Sequence, residues 1–408
     1  MTEQESVQRR RWIILILICL INLCAGSVYA WSVLSAAAAE SLTALTGTPV
    51  TPGDLAIAFG VANSVGPIPM ILGGAVNDRF GPRFVIMTGG LLIGVGLALC
   101  GILHSVAGIT LAFGGFFGIG LGLAYGAGIA TVVKYFPERR GFAGGIVTAA
   151  YGFSSVIVPP AAHVLISAFG VMQTFVILGT VFGAVIAVCG FFCSRCPDGF
   201  VPAGVSLPPR AAAEGKNWRE MLSSPVFWPM LALLMCGAVT GMMILSQAAF
   251  IARQEIGMTP AAAAGAVSVI ALFNMAGRLL AGTLSDRLGR IGVLAFGLVL
   301  SAAGLFTLMT AGKGDTALFY GGCVLVGIAF GAFMAVYPGF TADRFGARNA
   351  GVNYGIMFCG FALAGMIGPA LMRSLQASGF AFADCCLAGI GFCTAGLLFA
   401  FACSRFAK

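Results

Sequence analysis

The chain has 408 residues, of which 59% are hydrophobic and only 9% charged, and its net charge is +8. So little polar surface cannot cover so large an apolar content in water, which excludes a soluble domain and leaves a polytopic membrane protein. The positive charge is not a nucleic-acid footprint either: it is distributed among the connections between apolar runs, where it reports topology.

Membrane-spanning helices are predicted at about 12–36, 54–76, 83–104, 107–133, 141–166, 170–193, 225–251, 261–284, 291–311, 318–341, 350–372 and 383–404. The first of these follows Arg9, Arg10 and Arg11, and it is too long and too poor in a cleavage site to be a signal peptide. Of the 22 Lys and Arg residues, Arg253, Lys313 and Arg373 fall on one side, Arg278 falls inside a run, and the other eighteen fall on the opposite side. That asymmetry predicts both termini in the cytoplasm. The one long polar connection, 194–224, contains Pro197, Pro202, Pro208 and Pro209 and separates six runs from six. The expected architecture is therefore an all-α membrane protein of twelve transmembrane helices in two six-helix bundles, 1–193 and 225–408, joined by a cytoplasmic linker at 194–224.

The two halves share a motif. Gly74, Asp78, Arg79, Gly81 and Arg83 after the second run reappear as Gly282, Asp286, Arg287, Gly289 and Arg290 after the eighth, the aspartates 208 residues apart. Glycine lets two helices approach, aspartate can cap a helix or pair with arginine, and the arginines hold the cytoplasmic side. Asp78, Arg79, Arg83, Asp286, Arg287 and Arg290 are thus the candidate cytoplasmic gate.

Arg278 is the residue on which function turns. At about 1.5 Å per residue it lies about 12 Å before Asp286, against a half-thickness of about 15 Å for the hydrocarbon layer, so its charge sits near the midplane. A cation there costs at least ~2.5 kcal/mol and is expected to face a cavity or a partner. All 14 acidic residues fall in tails, loops or helix ends, so the expected counter-ion is an anionic cargo. The alternative is an arginine that snorkels or bonds backbone carbonyls.

The repeated motif in both halves of a twelve-span chain resembles the major facilitator superfamily. Lys134-Tyr-Phe-Pro-Glu-Arg-Arg-Gly-Phe-Ala-Gly-Gly145, with Tyr125 before it and Tyr151 after it, resembles the oxalate/formate antiporter family. Tyr337-Pro-Gly-Phe-Thr-Ala-Asp343 through Asn353-Tyr354-Gly, with Phe273-Asn274-Met-Ala-Gly-Arg278, resembles the related monocarboxylate transporters. The resemblance implies a carrier in which Arg278 takes the place of the arginine that binds the substrate carboxylate.

The departures from those families carry information. Oxalate carriers pair that arginine with a lysine in span eleven, and the matching position here is Phe361. One guanidinium neutralises one carboxylate well and two poorly, which favours a monocarboxylate over a dicarboxylate. Animal monocarboxylate carriers have an aspartate four residues before the arginine and a lysine in span one, where this chain has Asn274 and Val33. Asn274 shares a helix face with Arg278 and can bond it, or the ligand, without adding charge. The resemblance also implies that Tyr29, Tyr125 and Tyr151 line the substrate path, with Phe330, Phe333 and Phe361 as candidate apolar walls; helix packing is the competing role for each ring.

The expected function is secondary transport of a small monocarboxylate of the lactate or pyruvate type with a proton, by alternating access; a carboxylate exchanger is the alternative. An enzyme would need a nucleophile with its base or a metal cluster in the spans, a receptor would need a soluble output module, and ATP would need a GxxxxGK[ST] loop. None is visible, so no cofactor, metal, nucleic acid or obligatory protein partner is expected, only the anion, the proton and the bilayer of the inner membrane. The 13 cysteines read as small packing residues, including the Cys193-Ser-Arg-Cys196 pair, and His104 and His163 as interfacial residues.

Overall fold

The computed structural model describes residues 3–205 and 215–406; Arg210, Lys408 and the middle of the 194–224 connection lie outside the described residues. Twelve of the helices within them are long and apolar enough to cross a membrane. In chain order, spans 1 to 6 are Val7–Thr46, Ala56–Phe80, Pro82–Cys100, Val106–Tyr135, Arg140–Phe169 and Val171–Phe192. Spans 7 to 12 are Phe227–Gln254, Gly265–Leu288, Arg290–Thr310, Thr316–Phe345, Ala350–Ala377 and Phe382–Arg405. The all-helical expectation and the span count both hold. Several helices overrun their apolar runs, because a helix satisfies its own backbone in water as well as in lipid.

By contacts the chain forms two compact units. One comprises Met1–Glu138, Ala150–Gly215 and Ala342–Ile356; the other comprises Arg139–Ala149, Lys216–Thr341 and Met357–Lys408. The first part of span 5 thus belongs with the later spans, and the first part of span 11 with the earlier ones.

Within the first unit, span 3 is held from two sides by glycines. A Cβ on Gly89 would come within 2.8 Å of the Gly120 carbonyl oxygen in span 4, and one on Gly94 within 2.9 Å of the Gly179 carbonyl oxygen in span 6. Such approach maximises van der Waals contact where lipid offers no hydrophobic drive between helices. Span 1 tightens into a 3₁₀ turn over Gly26–Ala30 and resumes as an α-helix at Trp31. At that turn a side chain on Gly26 would collide with the Tyr151 carbonyl, and Trp31 stacks on Phe113 at 3.9 Å.

In the second unit the same device positions Arg278. Gly327 and Gly331, one turn apart on span 10, lie against the backbone of span 8: a Cβ on the former would sit 2.9 Å from the Ile270 carbonyl oxygen, and on the latter it would collide with the Asn274 carbonyl. Gly145 brings span 5 against the same helix about one turn further on, where a Cβ would lie 2.7 Å from the Arg278 carbonyl oxygen and 3.2 Å from Gly282 Cα. Span 8 is gripped at the turn that bears the arginine.

Candidate functional site

Arg278 is 3% exposed. Its Nε donates to Asn274 Oδ1 at 2.8 Å, one turn back on the same helix, and its Nη1 donates to the backbone carbonyl of Thr148 at 2.6 Å. Both acceptors are neutral, and Nη2 has no hydrogen-bond partner among the described residues. The arginine therefore meets one backbone carbonyl, as the alternative reading of the sequence allowed, yet has no carboxylate beside it. Asn274 and Thr148 fix the plane of the guanidinium, Nη2 makes no bond among those residues, and Nη1 with Nη2 forms the edge on which a carboxylate can compete with the Thr148 carbonyl.

The aromatic candidates separate by surroundings. Phe330 packs over Gly241 of span 7 and stacks at 6.1 Å on Phe361, itself half-buried and in contact with Phe358 at 4.8 Å. With Ala238, Val239 and Ala364, Phe330 forms an apolar cluster on which Phe361 packs. Phe333, three residues on from Phe330, fills the hollow over Gly237 and stacks on Tyr337, whose hydroxyl donates to the Met230 carbonyl at 2.8 Å. It is a fully buried packing residue in the structure. In the first unit Tyr151 sits between Tyr29 and Tyr125, edge to face at 5.3 and 5.1 Å.

The two motif aspartates make the same bonds. Asp286 accepts the amides of Gly141 and Phe142 at 2.9 and 2.8 Å, at the first turn of span 5, and pairs with Arg290 at 2.7 Å. Asp78 accepts the amides of Gly351 and Val352, both at 3.1 Å, at the first turn of span 11, and pairs with Lys134 at 2.6 Å. Each carboxylate thus caps the start of another span, where free amides and the helix dipole favour an anion by about 1 kcal/mol. Arg79, Arg83 and Arg287 are exposed; the first two lie over the rings of Phe80 and Phe191.

Two partners were not foreseen. Lys134 was legible as a cytoplasmic-side charge and as part of a resemblance but not as a partner of Asp78, and the Thr148 carbonyl has no side-chain signature; the signal that could have found it is Gly141-x-x-x-Gly145, a close-packing pattern just before it. His104 lies exposed in the connection after span 3, His163 is exposed on span 5, and Glu40 is exposed in the last two turns of span 1. Burial pushes the thiols of Cys193 and Cys196 up to about 12, so both are protonated at neutral pH.

Comparison with known proteins places these features in a wider group. A family model described as Major Facilitator Superfamily matches residues 9–369. The chain is 28% identical over 359 residues to an uncharacterized MFS-type transporter, YhjX, of Escherichia coli, covering 88% of this chain and 87% of that one. It is 27% identical over 379 residues to an oxalate:formate antiporter of Oxalobacter formigenes, covering 90% and 86%. Mouse monocarboxylate transporter 11 is 27% identical over 337 residues, covering 79% and 71%. Among solved structures, the proton:xylose symporter XylE superposes with a TM-score of 0.73 at 16% identity, covering 99% of this chain and 97% of that one. The human organic anion transporter MFSD10 gives 0.71 at 15%, covering 99% and 100%. At such identities the structures support the fold alone.

Proposed function

Because this chain belongs to the major facilitator superfamily, we propose that it is a secondary active transporter of small monocarboxylates of the lactate and pyruvate type, coupled to protons and working by alternating access. The observation that carries this reading is Arg278: a buried cation in a membrane span, held by two neutral acceptors and without a carboxylate partner among the described residues. A buried charge left unpaired costs several kcal/mol, and a monocarboxylate supplies one counter-charge. The guanidinium fork suits that planar group better than an ammonium would.

The cargo's valence follows from Phe361. The ring stacked on Phe330 stands where the resemblance to oxalate carriers leads one to expect a second cation, so a dicarboxylate would keep one charge uncompensated. Exchange of carboxylates is the second reading, favoured by the similarity to an oxalate:formate antiporter. The carrier lies in the inner membrane with both termini in the cytoplasm, and 1–193 and 225–408 are its two six-helix bundles, linked by 194–224. Asp78 and Asp286 release their amide partners when the cytoplasmic side opens, with Arg79, Arg83, Arg287 and Arg290 beside them. Uptake of labelled lactate, pyruvate, formate and oxalate into proteoliposomes, with and without a pH gradient, tests the assignment. Lactate or pyruvate uptake enhanced by the gradient is expected, and uptake of oxalate alone would reject it.

A further inference from the structure

The bond between Arg278 and Thr148 links two spans, and its acceptor belongs to the backbone. Thr148 Oγ1 is turned away, donating to the Gly145 carbonyl at 3.2 Å, so the threonine side chain does not take part. What places the carbonyl 2.6 Å from Nη1 is the close approach of span 5 to span 8 at Gly145. Like a carboxylate oxygen, the carbonyl oxygen accepts an N–H of the guanidinium; unlike one, it carries no net charge.

Resting on the monocarboxylate reading above, we propose that the Thr148 carbonyl is an internal stand-in for the cargo's carboxylate, which holds Arg278 in the unloaded carrier and is drawn off it when cargo binds. A carboxylate is the stronger acceptor, so it wins the guanidinium when present. Without cargo, Asn274 and Thr148 keep the cation from being stranded in a dry site. The unloaded carrier can therefore reorient, and net transport rather than obligatory exchange is the mode this arrangement supports. Thr148 is a positioning residue here, acting through Arg278.

The test is the transport mode and its response to Gly145→Ala, whose Cβ would press on the Arg278 carbonyl oxygen at 2.7 Å and on Gly282 Cα at 3.2 Å and so move Thr148 away. Labelled lactate, formate and oxalate are each offered to proteoliposomes that contain none of the anion and to proteoliposomes preloaded with it. Wild-type protein is expected to fill both, at comparable rates. Gly145→Ala is expected to lower the half-saturation concentration about fivefold, the worth of one competing hydrogen bond, while slowing net uptake and sparing exchange. A merely structural defect would raise half-saturation or slow both modes alike, and either result would overturn the proposal. Should the variant fail to fold, wild-type uptake that requires preloading overturns it equally. The wild-type ranking of the three anions judges the cargo class, and the ratio of the two modes for whichever anion is carried judges the Thr148 role, so the two readings fail separately.

Discussion

Asn274 and Arg278 are joined side chain to side chain across one turn of span 8, Oδ1 accepting from Nε at 2.8 Å, with Asn274 7% and Arg278 3% exposed. The amide orients the guanidinium without neutralising it, which leaves the positive charge for the cargo. Asn274→Asp would supply an internal counter-ion instead. A carboxylate beside a guanidinium has its pKa lowered below its usual value of about 4, so the new group is ionised at neutral pH and competes with cargo. The expected outcome is a higher half-saturation for lactate than wild type at pH 7, with the ratio of variant to wild type falling as the pH is lowered. A ratio at or below one at neutral pH would contradict the orienting role.

The capping aspartates predict paired effects. Asp286→Asn keeps one acceptor oxygen of two and leaves Arg290 without its carboxylate, and Asp78→Asn does the same to Lys134. Each variant is expected to lose about 1 kcal/mol of stability, seen as a lower thermal midpoint in detergent, and to transport more slowly. Removing an exposed charge such as Arg287 is expected to shift the midpoint far less.

Much of this was legible beforehand, for reasons that differ by residue. Arg278 stood out because one charge in an apolar run has few physical explanations, and Asn274 because residues four apart share a helix face. The motif aspartates were readable as caps, but not which helix each would cap, because Asp286 and Gly141 are 145 residues apart. Phe330 and Phe333 look alike in sequence; only the hollows at Gly241 and Gly237 decide where each ring goes. A backbone carbonyl such as that of Thr148 leaves no trace in the residue type at all.

Valence is the next expectation. Monocarboxylates should compete with labelled lactate for uptake and oxalate should not, whereas Phe361→Lys should gain oxalate competition by adding the second cation. The ring it replaces is half-buried against Phe330 and Phe358, so the variant's stability must be followed alongside. Oxalate displacing lactate from wild-type protein would contradict the monocarboxylate assignment.

Coupling is expected to run through the cargo itself. No acidic residue sits beside Arg278 among the described residues, and both histidines are exposed. A carboxyl with a pKa of about 4 in water is raised in a drier site once released from the arginine, so the acid can carry its own proton. Lactate accumulation should follow an imposed pH gradient and not an imposed voltage, and His104→Asn and His163→Asn should keep that dependence. Accumulation that follows voltage alone, or a histidine variant that exchanges lactate but ignores pH, would reject the cargo-borne proton.

The most direct measurement is initial uptake of labelled lactate by Arg278→Lys and Arg278→Ala beside wild type, in proteoliposomes of matched protein content. Lysine keeps the charge but loses the fork and the Nε–H that Asn274 holds, so both variants are predicted to fold, reach the membrane and lose nearly all uptake. Normal transport by Arg278→Ala would contradict the account.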